Sequence, residues 1–195
     1  MKTMAALVLA AGESSRMGRD KALLEYRGKT FLEAILSNLR EAGINEIAVV
    51  LGHHASDIER GANLTGARVV INAEYKRGQA SSFQAGLHVL ADVDGVLLCL
   101  VDHPAAGPDV MRTLVARFFE TGAPVVIPVY HGRRGHPVII GSALFEALMS
   151  LASGDGADTV VRKYRDVTEW LDVEDAGVAL DIDEPEDLRA LQAES

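Results

Sequence analysis

The chain has 195 residues, 48% of them hydrophobic and 24% charged, with one cysteine and a formal net charge of −9. That length suits one α/β domain with a sizeable core. The single thiol excludes an internal disulfide, and the negative charge argues against nucleic acid as a bulk partner, since that binding depends on neutralising phosphates. No apolar run approaches the ~20 residues needed to span a bilayer, so no membrane association is expected. Lys2 precedes an apolar stretch that runs straight into Gly12-Glu13-Ser14-Ser15-Arg16 without a cleavage region, and a cytoplasmic protein is expected.

Taken in chain order, apolar β-type runs alternate with helical patterns. A strand is predicted over 4–10, then a helix over 30–42 that opens on the capping box Thr30-Phe31-Leu32-Glu33 and ends near Gly43. Strands over 47–51 and 68–72 follow, then a helix over 79–91 and a strand over 96–101. A helix over 108–121 begins on Pro108, a residue suited to the first helical position. Strands over 124–129 and 137–140, helices over 142–151 and 158–164, a strand near 178–182 and a helix over 185–193 complete the pattern. Several strands are apolar at nearly every position, as strands covered on both faces are. The alternation predicts an α/β fold with a mainly parallel sheet flanked by helices. Cys99 lies inside the apolar run 95–101 and is expected to be a buried thiol rather than a nucleophile. No Cys/His spacing of the zinc type occurs.

In open parallel sheets, ligands bind at the carboxyl ends of the strands. The loops expected to hold the chemistry are therefore 11–21, 52–57, 73–78, 102–107 and 181–184. The first is the most informative. Its glycines allow close backbone approach, its successive N–H groups can form an anion-binding nest, and Ser14 and Ser15 add hydroxyl donors. Arg16, Arg19, Lys21, Arg27 and Lys29 concentrate cations in an otherwise acidic chain, as a triphosphate site requires. It is not a Walker A loop, because five residues separate Gly12 from Gly18 and Arg19 follows. Nor does the region contain the G-x-G-x-x-G of a dinucleotide fold.

The run Leu9-Ala10-Ala11-Gly12-x-Ser14-x-Arg16-Met17-Gly18-x-x-Lys21-x-Leu23-Leu24 resembles the opening motif of the MobA-like NTP transferases. The resemblance covers nearly the whole chain. It implies a Rossmann-like, three-layer nucleotide-diphospho-sugar transferase fold and a single domain over 1–195, its first part binding NTP and its second the acceptor. In that family the loop wraps the triphosphate, which implies nucleotide contacts from Leu9, Ala10, Ala11, Gly12, Ser14, Arg16, Gly18 and Lys21. Arg16 and Lys21 would act on phosphate oxygens.

Three further stretches carry the resemblance. Asp102 directly follows a strand, in Leu100-Val101-Asp102-x-Pro104; a carboxylate there is placed to hold Mg²⁺, and the stretch is similar to the family's metal-binding D-x-P element. Asp181-Ile182-Asp183-Glu184-Pro185-Glu186-Asp187-Leu188 is similar to the family's D-x-D-x-P-E-D-L ending, which supplies a second metal carboxylate. Strand alternation puts Asp181 and Asp183 on one side; Asp183 is favoured, although Asp183-x-x-Glu186 also reads as a capping box. Gly78-Gln79-Ala80-Ser81-Ser82 opens a helix and is similar to the family's G-Q-x-x-S element, which implies nucleotide contacts from Gly78, Gln79 and Ser82.

Gly135-His136-Pro137-Val138, after Arg133-Arg134, is similar to the G-H-P-V element of the molybdenum cofactor cytidylyltransferase branch and implies acceptor contacts from Arg134 and His136. His53 and His54 read as loop residues. Guanylyltransferases of the family carry Gly in place of Ala11, so the Leu9–Gly12 form implies CTP as donor. The acceptor implied is molybdopterin bearing molybdenum, with molybdoenzyme apoproteins as recipients of the product. The chain departs from that branch at Gly154-Asp155-Gly156-Ala157-Asp158, where an Asp stands in place of an Arg, unless Arg162 substitutes for it. The implied reaction is in-line attack of an acceptor phosphate on the α-phosphorus, with catalytic Arg16, Lys21 and Asp102 and with Mg²⁺ as cofactor; an ionised phosphate needs no general base. Competing classes are a guanylyltransferase or sugar-phosphate nucleotidyltransferase on the same fold, and a non-catalytic cofactor carrier or chaperone.

Overall fold

Strand β1 (Met4–Ala10) is apolar throughout and buried from its second residue onward. A strand of that kind needs cover on both faces, and in the computed structural model, which describes residues 2–13, 19–90 and 92–193, it has it. Successive side chains of a strand point to opposite faces. Ala6, Val8 and Ala10 accordingly join a core with α1 (Phe31–Glu41), α2 (Ala55–Gly61) and α4 (Pro108–Thr121). Ala5, Leu7 and Leu9 join the opposite core with α3 (Gln79–Leu87), α5 (Phe145–Met149) and α6 (Ala157–Lys163). The result is the expected three-layer, mainly parallel arrangement.

The sheet has eight strands. They are β1, β4 (Ile47–Leu51), β5 (Arg68–Ile71), β6 (Gly95–Leu100), β7 (Val125–Tyr130), β8 (Arg133–Arg134), β9 (Val138–Gly141) and β10 (Glu169–Asp172). The order across the sheet is β10-β7-β9-β6-β1-β4-β5, with β8 pairing to β7. β1 lies between β4 and β6 and is parallel to both. β9 runs antiparallel to β6 and β7. The carboxyl ends of β1, β4 and β6 thus open on one crevice, the place where such sheets hold ligands.

The capping box at Thr30 and Glu33 is present, with both reciprocal hydrogen bonds. Other expectations need correction. The segment 178–182 is not a strand: Ala176–Ala179 forms a 3-10 turn. Asp175 holds that turn by accepting from the N–H groups of Gly107 and Gly177. A Cβ at Gly177 would overlap the Ala105 carbonyl, so the segment lies against another backbone rather than in a ladder. The helix expected over 79–91 stops at Leu87, and 142–151 divides into a 3-10 turn (Ser142–Leu144) and α5. There Gln84 donates through Nε2 to the carbonyls of Leu148, Met149 and Leu151, taking acceptors that a longer helix would use. Strands β8 and β10, helix α2 and the hairpin of β2 (Glu25–Tyr26) and β3 (Lys29–Thr30) were not expected.

Candidate functional site

The end of β1 is held from both sides. Val101 donates to the Leu9 carbonyl and His53 to the Ala11 carbonyl. Gly52 permits the second contact: a Cβ there would sit 2.8 Å from the Ala11 oxygen and 2.7 Å from the Tyr75 Cβ. This fixes Leu9, Ala10, Ala11 and Gly12 as one wall of a cleft of about 400 Å³. Gly78, Gln79 and Ser82 line it opposite, and Lys21, Asp102 and Asp183 line it beside them. Every expected nucleotide residue within the described chain faces this one cleft; Ser14, Arg16 and Gly18 lie outside the described residues.

Lys21 opens a 3-10 turn (Lys21–Leu23) and is buried there. Its ammonium donates to Asp183 Oδ1 at 2.6 Å and Asp102 Oδ2 at 3.3 Å. Asp102 lies in the turn that follows β6, and its carbonyl accepts from the Ile182 N–H. Ile182 is 2% exposed in a core with Leu24, Tyr26 and Phe31, which leaves Asp181 and Asp183 on the side away from that core. Helix α7 (Pro185–Ala193) follows at once. Asp187, in its first turn, accepts from the N–H groups of Asp183 and Glu184, and Glu186 pairs with Arg189.

Asp102 Oδ1 also lies 3.0 Å from His103 Nδ1. Burial pushes the Asp102 carboxyl up, but the hydrogen bond and charge of His103, with Lys21, outweigh it and hold the group down at about 2. Asp181 goes the other way: burial and the neighbouring Asp102 and Asp183 raise it against the pull of His103 and Lys21. Among the described residues, Asp102, His103 and Asp181 bring three potential ligand atoms within 4.8 Å of one another. The two aspartates thus differ in setting: Asp181 groups with Asp102 and His103, and Asp183 binds Lys21.

A second cavity of about 290 Å³ adjoins the first, sharing Gln79 and Leu100. Arg134 and His136 line it, together with a mostly apolar wall that includes Leu98, Ile127 and Val138. Burial and the charge of His103 push His136 down to about 4, and the two imidazole rings lie 4.8 Å apart. Asp158 also lines this cavity, and Arg162 pairs with it. Gly135 permits the close approach of this wall to the Ala176–Ala179 turn, because a Cβ would overlap the Val178 carbonyl.

Two residues of the cleft, and one that supports it, escaped sequence reasoning. Asn72, 6% exposed, donates to the hydroxyls of Ser81 and Ser82 and accepts from the Glu74 N–H, so it organises the start of α3. Its one visible signal is its position just after an expected strand. Tyr75 lines the cleft and meets His53 Nδ1 at 3.1 Å. Asp20 also lines it, with its side chain 7% exposed and His54 Nδ1 at 3.4 Å; burial raises its carboxyl.

No helix among the described residues is long and apolar enough to cross a membrane. The family model of the MobA-like NTP transferase domain matches residues 6–167. The chain is 34% identical to a nicotine blue oxidoreductase of Paenarthrobacter nicotinovorans, covering 95% of this chain and 94% of that protein. It is 26% identical to the molybdenum cofactor cytidylyltransferase of Escherichia coli K12, covering 96% and 94%. A crystal structure of Rv0371c from Mycobacterium tuberculosis H37Rv superposes with a TM-score of 0.84 at 32% identity over 98% of both chains. Its complex with manganese gives 0.82 at 29% identity over 100% of both.

Proposed function

The chain belongs to the MobA-like NTP transferase family as a nucleotidyltransferase, and from that premise we propose that it transfers CMP from CTP to the phosphate of molybdenum-bearing molybdopterin, releasing pyrophosphate. The observation that carries the reading is the Lys21 ammonium set against Asp102 and Asp183 in the cleft at the ends of β1 and β6. Such a cleft complements a metal–triphosphate: an ammonium for the phosphate oxygens and carboxylates for a divalent cation.

Asp102 would hold that cation with Asp181 or Asp183, and the three ligand atoms gathered at Asp102 suit one. Bound there as Mg²⁺, it would neutralise charge on the triphosphate. Manganese in the Rv0371c complex supports the use of a divalent ion. Lys21, with Arg16, stabilises the charge that builds on pyrophosphate as the bond between the α-phosphorus and its bridging oxygen breaks and the acceptor oxygen bonds to the α-phosphorus. Gly12 and Gly18 let the loop backbone approach the phosphates, and Ser14 adds a hydroxyl donor. Leu9, Ala10, Ala11, Gly78, Gln79 and Ser82 seat the nucleoside, and Ala11 at the wall favours the smaller base. Arg134 and His136 place the acceptor in the adjoining cavity.

A second reading is supported by the 34% identity to an oxidoreductase, higher than that to the cytidylyltransferase, and by the apolar second cavity. It has an organic molecule reduced there by a supplied two-electron donor. One experiment separates the two. With Mg²⁺, CTP and molybdenum-loaded molybdopterin, pyrophosphate is released, GTP does not replace CTP, Asp102→Ala abolishes the release, and Lys21→Ala lowers kcat by about 10²-fold or more with the fold retained. Release with GTP alone would overturn the base assignment. Reduction of an organic substrate by a supplied two-electron donor, without pyrophosphate release, would establish the second reading.

A further inference from the structure

We propose that His103 is a ligand of the metal that Asp102 holds, so that the site binds a first-row transition ion such as Mn²⁺ more tightly than Mg²⁺. The proposal rests on the reading of Asp102 as a metal carboxylate, and it adds a nitrogen donor to that site.

The geometry begins with the distance between the two neighbours. Adjacent donors of an octahedral ion, each at about 2.1 Å, stand about 3.0 Å apart. Asp102 Oδ1 and His103 Nδ1 are 3.0 Å apart, so the pair that meets as a hydrogen bond also has the spacing of two adjacent ligands. The third atom comes from Asp181, and the three lie within 4.8 Å of one another. Opposite donors on such an ion are separated by about 4.2 Å, so small side-chain rotations close the remainder.

The surroundings hold His103 in place. Its side chain is 11% exposed, and its ring packs against that of His136. Its N–H donates to the Leu100 carbonyl, which ties the residue to the end of β6. Lys21 engages Asp183 at 2.6 Å and the other oxygen of Asp102, Oδ2, at 3.3 Å. The Asp102 oxygen that faces His103, Oδ1, is thus the other one of its carboxylate.

Donor chemistry then sets the preference. Carboxylate and water suit Mg²⁺, and an imidazole adds affinity for the transition ions. The site has one nitrogen and two carboxylates, a set that Mg²⁺ tolerates and Mn²⁺ gains from.

The test reads the nitrogen directly. The metal-free full chain is titrated with Mn²⁺, free ion is followed by electron paramagnetic resonance, and the bound ion is examined for ¹⁴N modulation in its spin-echo envelope. One Mn²⁺ should bind per chain with ¹⁴N modulation present, and Mg²⁺ should compete at least about tenfold more weakly. His103→Ala should remove the modulation and weaken Mn²⁺ by about 10- to 100-fold while changing Mg²⁺ affinity less. Bound Mn²⁺ without ¹⁴N modulation in the wild-type chain overturns the proposal, and that spectrum depends on no variant. So does a folded His103→Ala chain that keeps wild-type Mn²⁺ affinity. Pyrophosphate release with Mg²⁺ by a chain lacking ¹⁴N modulation would leave the transferase reading intact and remove this one. Modulation in a chain that releases no pyrophosphate would do the reverse.

Discussion

Cys99 sits in β6 with 3% exposure, and burial pushes its thiol up to about 12. The thiolate is the reactive form, so folding makes this residue inert at neutral pH. Ellman's reagent at pH 8 should find no reactive thiol in the native chain and one per chain in denaturant. A fast native reaction would show that β6 opens readily. The places of Cys99 and Asp102 are legible in the sequence for a shared reason, since each stands in or just after an apolar run that announces a strand, whereas Lys21 is legible only through the loop motif that carries the resemblance. Asn72, Tyr75 and Asp20 are not legible there, because their roles come from side chains brought together across the fold. Nothing near Asn72 in sequence tells that its amide will reach the hydroxyls of Ser81 and Ser82. The choice between Asp181 and Asp183 has the same limit. Alternation puts both on one side, but only the placement of Lys21 and His103 separates them.

At the scale of elements, local signals work where one short stretch contains its own explanation. The start of α1 is such a case, and it yields a pH prediction. Glu33 accepts from the backbone N–H groups of Thr30 and Asn63, and these bonds lower its folded-state pKa. A lowered folded pKa gives stability that is fully present above the unfolded value of about 4.3 and is lost as pH falls through the lower folded value. Glu33→Gln should therefore cost stability at pH 7, by under about 1 kcal/mol given the solvent around it. The gap between the urea midpoints of the two chains should shrink as the pH drops below 4. A constant gap from pH 7 to pH 3 would assign the effect to packing instead. Elements whose cause lies elsewhere escape such signals. β10 reads Glu-Trp-Leu-Asp, with too few apolar residues to announce a strand, and it exists because β7 offers it a parallel edge. The apolar run 178–182 looks like a strand, yet Asp175 and the Ala105 carbonyl fix it as a turn and an extended arm. That arm carries Asp181 and Asp183, so the misread element is the one that completes the site.

The whole molecule matters because the cleft belongs to no single element. Its wall comes from the end of β1, its floor from residues after β6, one side from the start of α3, and its far carboxylate from position 183. Lys21 joins residues 81 and 162 positions away through ion pairs with Asp102 and Asp183. If the chain unfolds as one cooperative unit, a ligand spanning these segments stabilises all of it at once. CTP with Mg²⁺ at about 100 times its Kd should add about 2.7 kcal/mol. For a chain of this size that raises the melting temperature by roughly 5–10 °C. The shift needs both partners: phosphate without the cation meets the acidic Asp102 and Asp183, and the cation without phosphate leaves Lys21 competing for the same carboxylates. CTP alone and Mg²⁺ alone should each give a small part of the shift, and their sum should fall short of the shift they give together. Lys21→Ala and Asp102→Asn should each remove most of the joint shift. An equal shift in the Lys21→Ala chain would place the nucleotide outside this cleft. Two separate transitions, only one of them moved by CTP, would divide the chain into independently folding parts and confine the nucleotide to one of them.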